Sequence, residues 1–152
     1  GAEELSYVSV EDSFNKAIAL FNDLQNTKII CDCKGLSLLA DSLLRQLFYN
    51  LVQNSLKHGQ KVQQIRMHYE NKQDHLELVY QDDGVGISET DRPNLFKEGY
   101  GKGTGYGLYL IRRMMEVYGW TIQETGESGK GARFTITIPM KNKNEKPGYI
   151  LD

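Results

Sequence analysis

The 152-residue chain is poor in the features that announce whole classes of function. Cysteine is nearly missing: Cys31 and Cys33 stand one residue apart in what reads as a strand. They are expected to point to opposite faces of it, which argues against a mutual disulfide and for a reducing compartment. Nor do His58, His68 and His75 hold a zinc-like spacing to them. An excess of one charge is missing too. With a formal net charge of −2, neither nucleic acid nor an anionic membrane is indicated as the main partner. No apolar run approaches the roughly eighteen residues of a membrane span, and no signal peptide, internal repeat or low-complexity segment is read. At 39% hydrophobic and 25% charged residues, 1–152 is expected to form one domain with room for a real core.

Glycine, by contrast, is concentrated. Positions 99, 101, 103, 105 and 107 are all glycine. Each costs about 0.5–1 kcal/mol in a regular element relative to alanine, so the run suits neither helix nor strand. It suits a backbone that lies flat against a ligand. Leu108, Ile111, Met115 and Tyr118 then fall on one helical face, and Gly119 is a good stop. A glycine loop that feeds a helix start presents free N–H groups and the positive end of the dipole, which suits phosphate. Two familiar phosphate loops are excluded. A Walker loop needs Ser or Thr after its lysine, but Gly103 follows Lys102, and Phe96 occupies the place of its first glycine. A Rossmann fingerprint from Gly101 or Gly103 would need glycine at Tyr106 or Leu108. The loop points to a nucleotide without naming a fold, and a plain surface loop before an ordinary helix stays open.

Periodicity places the remaining elements. A helix is expected over 10–24, with Ser9 and Asp12 as a capping box, and a strand over 28–33. Asp41 is expected to cap a second helix that turns Leu44, Leu47, Phe48, Leu51, Val52 and Ser55 to the core and ends at Gly59. Ile65, Met67 and Tyr69 alternate, as do Leu76, Leu78 and Tyr80, with a turn at 71–74. A long loop over 82–107 follows, broken by an apolar element at Leu95 and Phe96; loops of that length are commonly functional. After the helix at 108–118 come strands at 121–124 and 133–138 with a turn at 126–131. The core is expected over 5–139, with 140–152 a loose polar tail. This order predicts an α+β two-layer sandwich: a mixed, mostly antiparallel five-stranded sheet covered on one face by three helices.

Two stretches carry chemistry. Asn50, Asn54 and Lys57 share one stripe of the second helix, well away from its Leu47/Leu51/Ser55 face. Asparagine is a poor helix former, so the stripe is either a solvated face or a site edge. In the latter case it offers amide oxygens for a hard cation such as Mg²⁺ and a lysine for phosphate. Asp82-Asp83-Gly84-Val85-Gly86-Ile87 directly follows an apolar strand. An aspartate there can accept from an exocyclic amine, and the glycines let a flat ring approach. Alone, Asp-Gly is a common turn signal.

In series these motifs resemble the ATP-binding boxes of sensor histidine kinases. Asn50 with Leu51-Val52-Gln53-Asn54-Ser55-Leu56-Lys57-His58 resembles the N-box, and Asp82 to Ile87 the first glycine box. Leu95-Phe96 resembles the F-box, Gly103-Thr104-Gly105-Tyr106-Gly107-Leu108 the second glycine box, and Gly129-Lys130-Gly131 through Pro139 the last. The match is to the catalytic, ATP-binding domain of the GHKL superfamily, with its Bergerat fold. The resemblance implies that Asn54 binds Mg²⁺, with Asn50 supporting metal and phosphates and Lys57 meeting a phosphate. It implies that His58 packs near adenine or ribose and that Asp82 accepts from the adenine amino group. Gly84, Gly86 and Ile87 would shape the adenine pocket. The segment 88–102 would be the ATP lid, with Lys102, Gly103, Thr104, Gly105, Tyr106, Gly107 and Leu108 around the triphosphate. Tyr106 stands where leucine is usual and Ser55 where alanine is usual.

The family holds kinases, ATPases and binding modules. Its ATPase branch, with DNA gyrase B and the heat-shock chaperones, uses a glutamate four residues before the metal asparagine. Here that residue is Asn50, whose amide is no general base, so direct hydrolysis is disfavoured. Phosphoryl transfer asks mainly for positioning and charge neutralisation, which the set supplies. No His-Glu-x-x-Thr-Pro-like box is found, so the phosphoacceptor histidine is expected on a separate helical dimerisation domain. The resemblance implies a cytoplasmic histidine kinase domain that uses ATP and Mg²⁺ and is inactive without that domain. A response regulator would lie downstream, with no nucleic-acid partner and no direct membrane contact. A serine kinase of the anti-sigma-factor type and a regulatory ATP-binding module are the alternatives.

Overall fold

Alternating apolar residues build the sheet that carries the rest of the molecule. The computed structural model describes residues 4–100 and 108–152. The predicted phosphate-loop residues Lys102, Gly103, Thr104, Gly105, Tyr106 and Gly107 lie outside the described residues. In chain order the elements are β1 (Ser6–Ser9), α1 (Val10–Ile18), β2 (Lys28–Asp32), β3 (Leu36–Ala40), α2 (Leu43–His58), β4 (Gln64–Asn71) and β5 (His75–Asp82). A 3₁₀ turn (Arg92–Asn94), α3 (Tyr109–Tyr118), β6 (Thr121–Glu124), β7 (Arg133–Pro139) and β8 (Tyr149–Leu151) complete them.

The main sheet has the order β2-β4-β5-β7-β6, parallel only between β2 and β4. Its register stacks residues into rows across the core face. Met67, Tyr80, Phe134 and Glu124 form one row, and Ile65 faces Asp82 in the next. Because strand side chains alternate, both acids lie on the face that the helices cover. Phe14 of α1 meets Phe48 of α2 edge-on at 5.9 Å, and α3 presents Ile111, Met114, Met115 and Tyr118 to the same core. This is the predicted α+β sandwich of a five-stranded mixed sheet and three helices. Among the described residues no helix is long and apolar enough to cross a membrane.

Four expectations are corrected. The first helix stops at Ile18 rather than at residue 24: Leu20 and Phe21 N–H groups turn back to Ala17 and Ile18 carbonyls, and Phe21 stacks on Tyr49 at 4.7 Å. Asp41 does hold the start of α2, but from one residue further out. Its Oδ1 accepts from Leu43 N at 3.0 Å and from the Tyr118 hydroxyl. The 140–152 tail is not loose, since β8 pairs with β3, which pairs with β1, in a second sheet of three strands. Its short apolar Tyr-Ile-Leu run is too brief to stand out, yet β3 offers it an open edge. Finally, Cys31 in β2 and Cys33, one residue past its end, do not point to opposite faces but both pack on the core, as residues two apart along an extended chain do. Both are free, and their thiols are hydrogen-bonded to one another. That bond pushes the Cys33 thiol up, helped by burial, and lowers Cys31.

Candidate functional site

Helix α2 delivers the asparagine stripe to the edge of the sheet. Asn54 is only 5% exposed, and its Oδ1 is buried with no hydrogen-bond partner among the described residues. A buried amide oxygen left unpaired is costly, of the order of 1–3 kcal/mol. Asn50, one turn earlier, is half-buried and its Oδ1 accepts from Gln46 Nε2 at 2.8 Å. Lys57 is exposed and His58 half-buried.

The aspartate lies at the end of β5. Asp82 is 7% exposed, yet its carboxylate is well served. Oδ1 accepts from the backbone N–H of Gly84 and of Ala132, each at 3.0 Å, and Oδ2 accepts from Ser55 Oγ at 2.6 Å. Behind Ser55 lies the Tyr80 hydroxyl, 2.7 Å away, in the fully buried core row. Burial raises the Tyr80 phenol well above its ordinary range, so it stays a neutral donor.

Two close backbone approaches bring these elements together. A Cβ on Gly84 would lie 2.6 Å from Gly59 O, which lets the 84–87 turn seat on the end of α2; Val85 N bonds to that same oxygen at 3.1 Å. A Cβ on Gly131 would fall 2.0 Å from Asp82 O, and Gly131 has a φ of +108°. Only glycine fits at either position. Asn54, His58, Gly59, Asp82, Gly86, Ile87 and Ala132 thereby line one narrow cleft. Two roomier hollows of about 490 and 290 Å³ lie beside Trp120 and are lined by none of the predicted ligands among the described residues.

The structure thus gathers five predicted residues, Asn54, His58, Asp82, Gly86 and Ile87, in one place. Gly84 packs behind the cleft, Asn50 and Lys57 sit on the same helix outside its lining, and Leu108 is buried at the entry to α3. Residues to which the sequence reading gave no individual role also appear, although Ser55 lies in the N-box stretch and Gly131 and Ala132 in the last glycine-box stretch. Ser55, read as a core residue, holds Asp82. Ala132 and Gly131 bring the turn before β7 against it. Arg92 and Glu124 fasten the segment after Ile87. A serine on the apolar face of α2 and a glutamate at the end of an apolar strand were the available signals.

The segment 88–100 is better tied than its composition suggests. Leu95 is 1% exposed, and Phe96 meets Phe134 edge-on at 6.3 Å. Asp91 N bonds to Ser88 Oγ at 3.1 Å, the Tyr100 hydroxyl bonds to Asp91, and Arg92 pairs with Glu124 at 2.7 Å.

Known proteins are similar to this chain in sequence and in fold. The chain is 33% identical over 110 residues to a probable C4-dicarboxylate sensor kinase of Bacillus subtilis, covering 67% of this chain and 21% of that protein. It is 36% identical over 120 residues to the aerobic respiration control sensor protein ArcB of Escherichia coli, covering 72% of this chain and 15% of that protein. It therefore spans a small part of the length of either relative. Among solved structures, the nucleotide-free catalytic domain of histidine kinase ThkA superposes with a TM-score of 0.75 at 21% identity, over 90% of this chain and 96% of that one. Acinetobacter baumannii histidine kinase AdeS gives 0.75 at 23% identity, over 93% and 70%. At these identities the structural likeness is one of fold. The family described as histidine kinase-, DNA gyrase B- and HSP90-like ATPase matches residues 40–142, from the end of β3 to just beyond β7 and across the whole cleft, and the chain belongs to it.

Proposed function

We propose that this chain is the ATP-binding catalytic domain of a sensor histidine kinase, passing the γ-phosphoryl group of ATP to a histidine on a separate helical dimerisation domain. The carrying observation is that one cleft has an anchored carboxylate, Asp82, and a buried amide oxygen, Asn54 Oδ1, with no hydrogen-bond partner among the described residues. With both acceptor positions of Oδ1 and one of Oδ2 taken, the carboxylate keeps a position on Oδ2 for the exocyclic amine of adenine. An orphaned hard oxygen suits Mg²⁺, which Asn54 would hold with support from Asn50; when bound, the ion neutralises phosphate charge. Lys57, one turn on and exposed, is free to reach a phosphate. His58, Gly86 and Ile87 give the adenine and ribose a wall, and Lys102 with 103–108 is assigned to the triphosphate. Asn50 gives water no base, which favours transfer over hydrolysis.

The parent protein would signal to a response regulator, with this domain on the cytoplasmic side. The test is to mix the chain with Mg²⁺, γ-labelled ATP and the parent's helical domain. An acid-labile, base-stable phosphohistidine on that domain is expected. Phosphoserine on a protein partner would favour the serine-kinase alternative, and nucleotide binding without transfer would leave a regulatory module.

A further inference from the structure

Within its own row on the core face of the sheet, Glu124 stands at the end of an apolar run. Met67, Tyr80 and Phe134 precede it in register, and an apolar residue would complete the row. Instead the Glu124 side chain is 0% exposed, and both of its oxygens are hydrogen-bonded. Oε1 accepts from Arg92 Nε at 2.7 Å; Oε2 accepts from Gly126 N at 3.1 Å and Arg133 N at 2.9 Å. Replacing such a buried pair by apolar groups is often neutral or stabilising, so stability alone does not explain it. What the guanidinium adds is direction. Arg92 Nη2 donates to Gly126 O at 2.8 Å and to Ile87 O at 3.3 Å. One planar group therefore ties the turn at 84–87 to the turn at 126–131. These turns also meet through Gly129 N and Val85 O at 2.8 Å.

We propose that Arg92 and Glu124 form a clasp that positions the Gly86–Ile87 wall of the cleft for the nucleotide base. Neither side chain lines the cleft, so both act through the backbone they hold. The inference rests on the nucleotide-binding reading above. A lysine at 92 could keep the charge but not the fork, because it is a single point donor on a flexible stem.

The test compares wild type, Arg92→Lys and Arg92→Gln by calorimetry with Mg²⁺-ADP and by hydrogen exchange. Arg92→Gln should bind about tenfold more weakly, with Arg92→Lys between it and wild type. Exchange should quicken at Gly129 N–H while the paired amides of β4 and β5 stay protected. If wild type binds and both variants match it, the clasp is overturned and the nucleotide reading stands. If affinity falls only together with protection throughout β4 and β5, the pair is merely structural and the proposal fails. If wild type does not bind ADP at all, the nucleotide reading fails and takes the clasp's role with it.

Discussion

Ser55 Oγ lies 2.6 Å from Asp82 Oδ2 and must give it its single proton, because an ionised carboxylate only accepts. The Tyr80 hydroxyl, 2.7 Å from Ser55, is then the donor to Ser55, and a buried relay runs Tyr80 to Ser55 to Asp82. It fixes the rotamer of Asp82 from behind, as the N–H groups of Gly84 and Ala132 do from the side.

Removing the acceptor should therefore remove nucleotide. Asp82→Asn replaces a charge-assisted acceptor, worth about 1.5–3 kcal/mol, or about ten- to a hundredfold in affinity. Calorimetry with ADP measures it, and an unchanged dissociation constant would sink the adenine assignment. Ser55→Ala strands the Tyr80 hydroxyl and should cost about 1–3 kcal/mol in urea-unfolding stability.

Asn54→Ala should abolish phosphotransfer to the helical domain while leaving the circular dichroism spectrum unchanged. Its Oδ1 has no partner to lose among the described residues, so the fold gives up little. Transfer at the parent rate in that variant would reduce the Asn50/Asn54/Lys57 stripe to a polar face.

Two histidines should drive stability in opposite directions with pH. Asp74, hydrogen-bonded to His75 Nδ1 at 2.7 Å, and Glu77, at 3.1 Å from Nε2, raise His75 above its ordinary 6.5. Its contribution is full below pH 6.5 and fades as pH rises through the raised folded value. Burial, then the Arg66 charge, lowers His68 below 6.5, so folding is penalised as pH falls beneath that value. In melting temperatures measured across this range, His75→Gln should lose the low-pH gain, and His68→Gln should lose the low-pH penalty. Parallel shifts of both variants would contradict the assignment.

Deleting 149–152 should destabilise the chain by about 2–4 kcal/mol, through loss of a few backbone bonds at about 0.5–1.5 kcal/mol each. Asp152 N to Gly35 O at 2.9 Å is one of them, beside the β3–β8 pairing. A denaturant midpoint unmoved by the deletion would return this segment to the status of a tail.

The sequence by itself determined what depends on local chemistry and period. Alternation at Ile65/Met67 and Leu76/Leu78/Tyr80 sets strands that can only pair through a short turn. Asn54, Asp82 and the glycines around them each also suit a solvated face or a turn, and only their order along the chain reads as a nucleotide site. Only the tertiary structure decided what depends on partners distant in the chain. Tyr149–Leu151 becomes a strand because β3, more than a hundred residues earlier, has an open edge. Glu124 is tolerated in an apolar row because Arg92, thirty-two residues before it, reaches back to it. Ser55 is a helix-core residue by periodicity and a carboxylate anchor by position, since hydrogen-bond partners 25 and 27 residues away cannot be read from spacing along a helix. Burial of a polar group is settled by the groups that meet it, and folding alone brings those groups together.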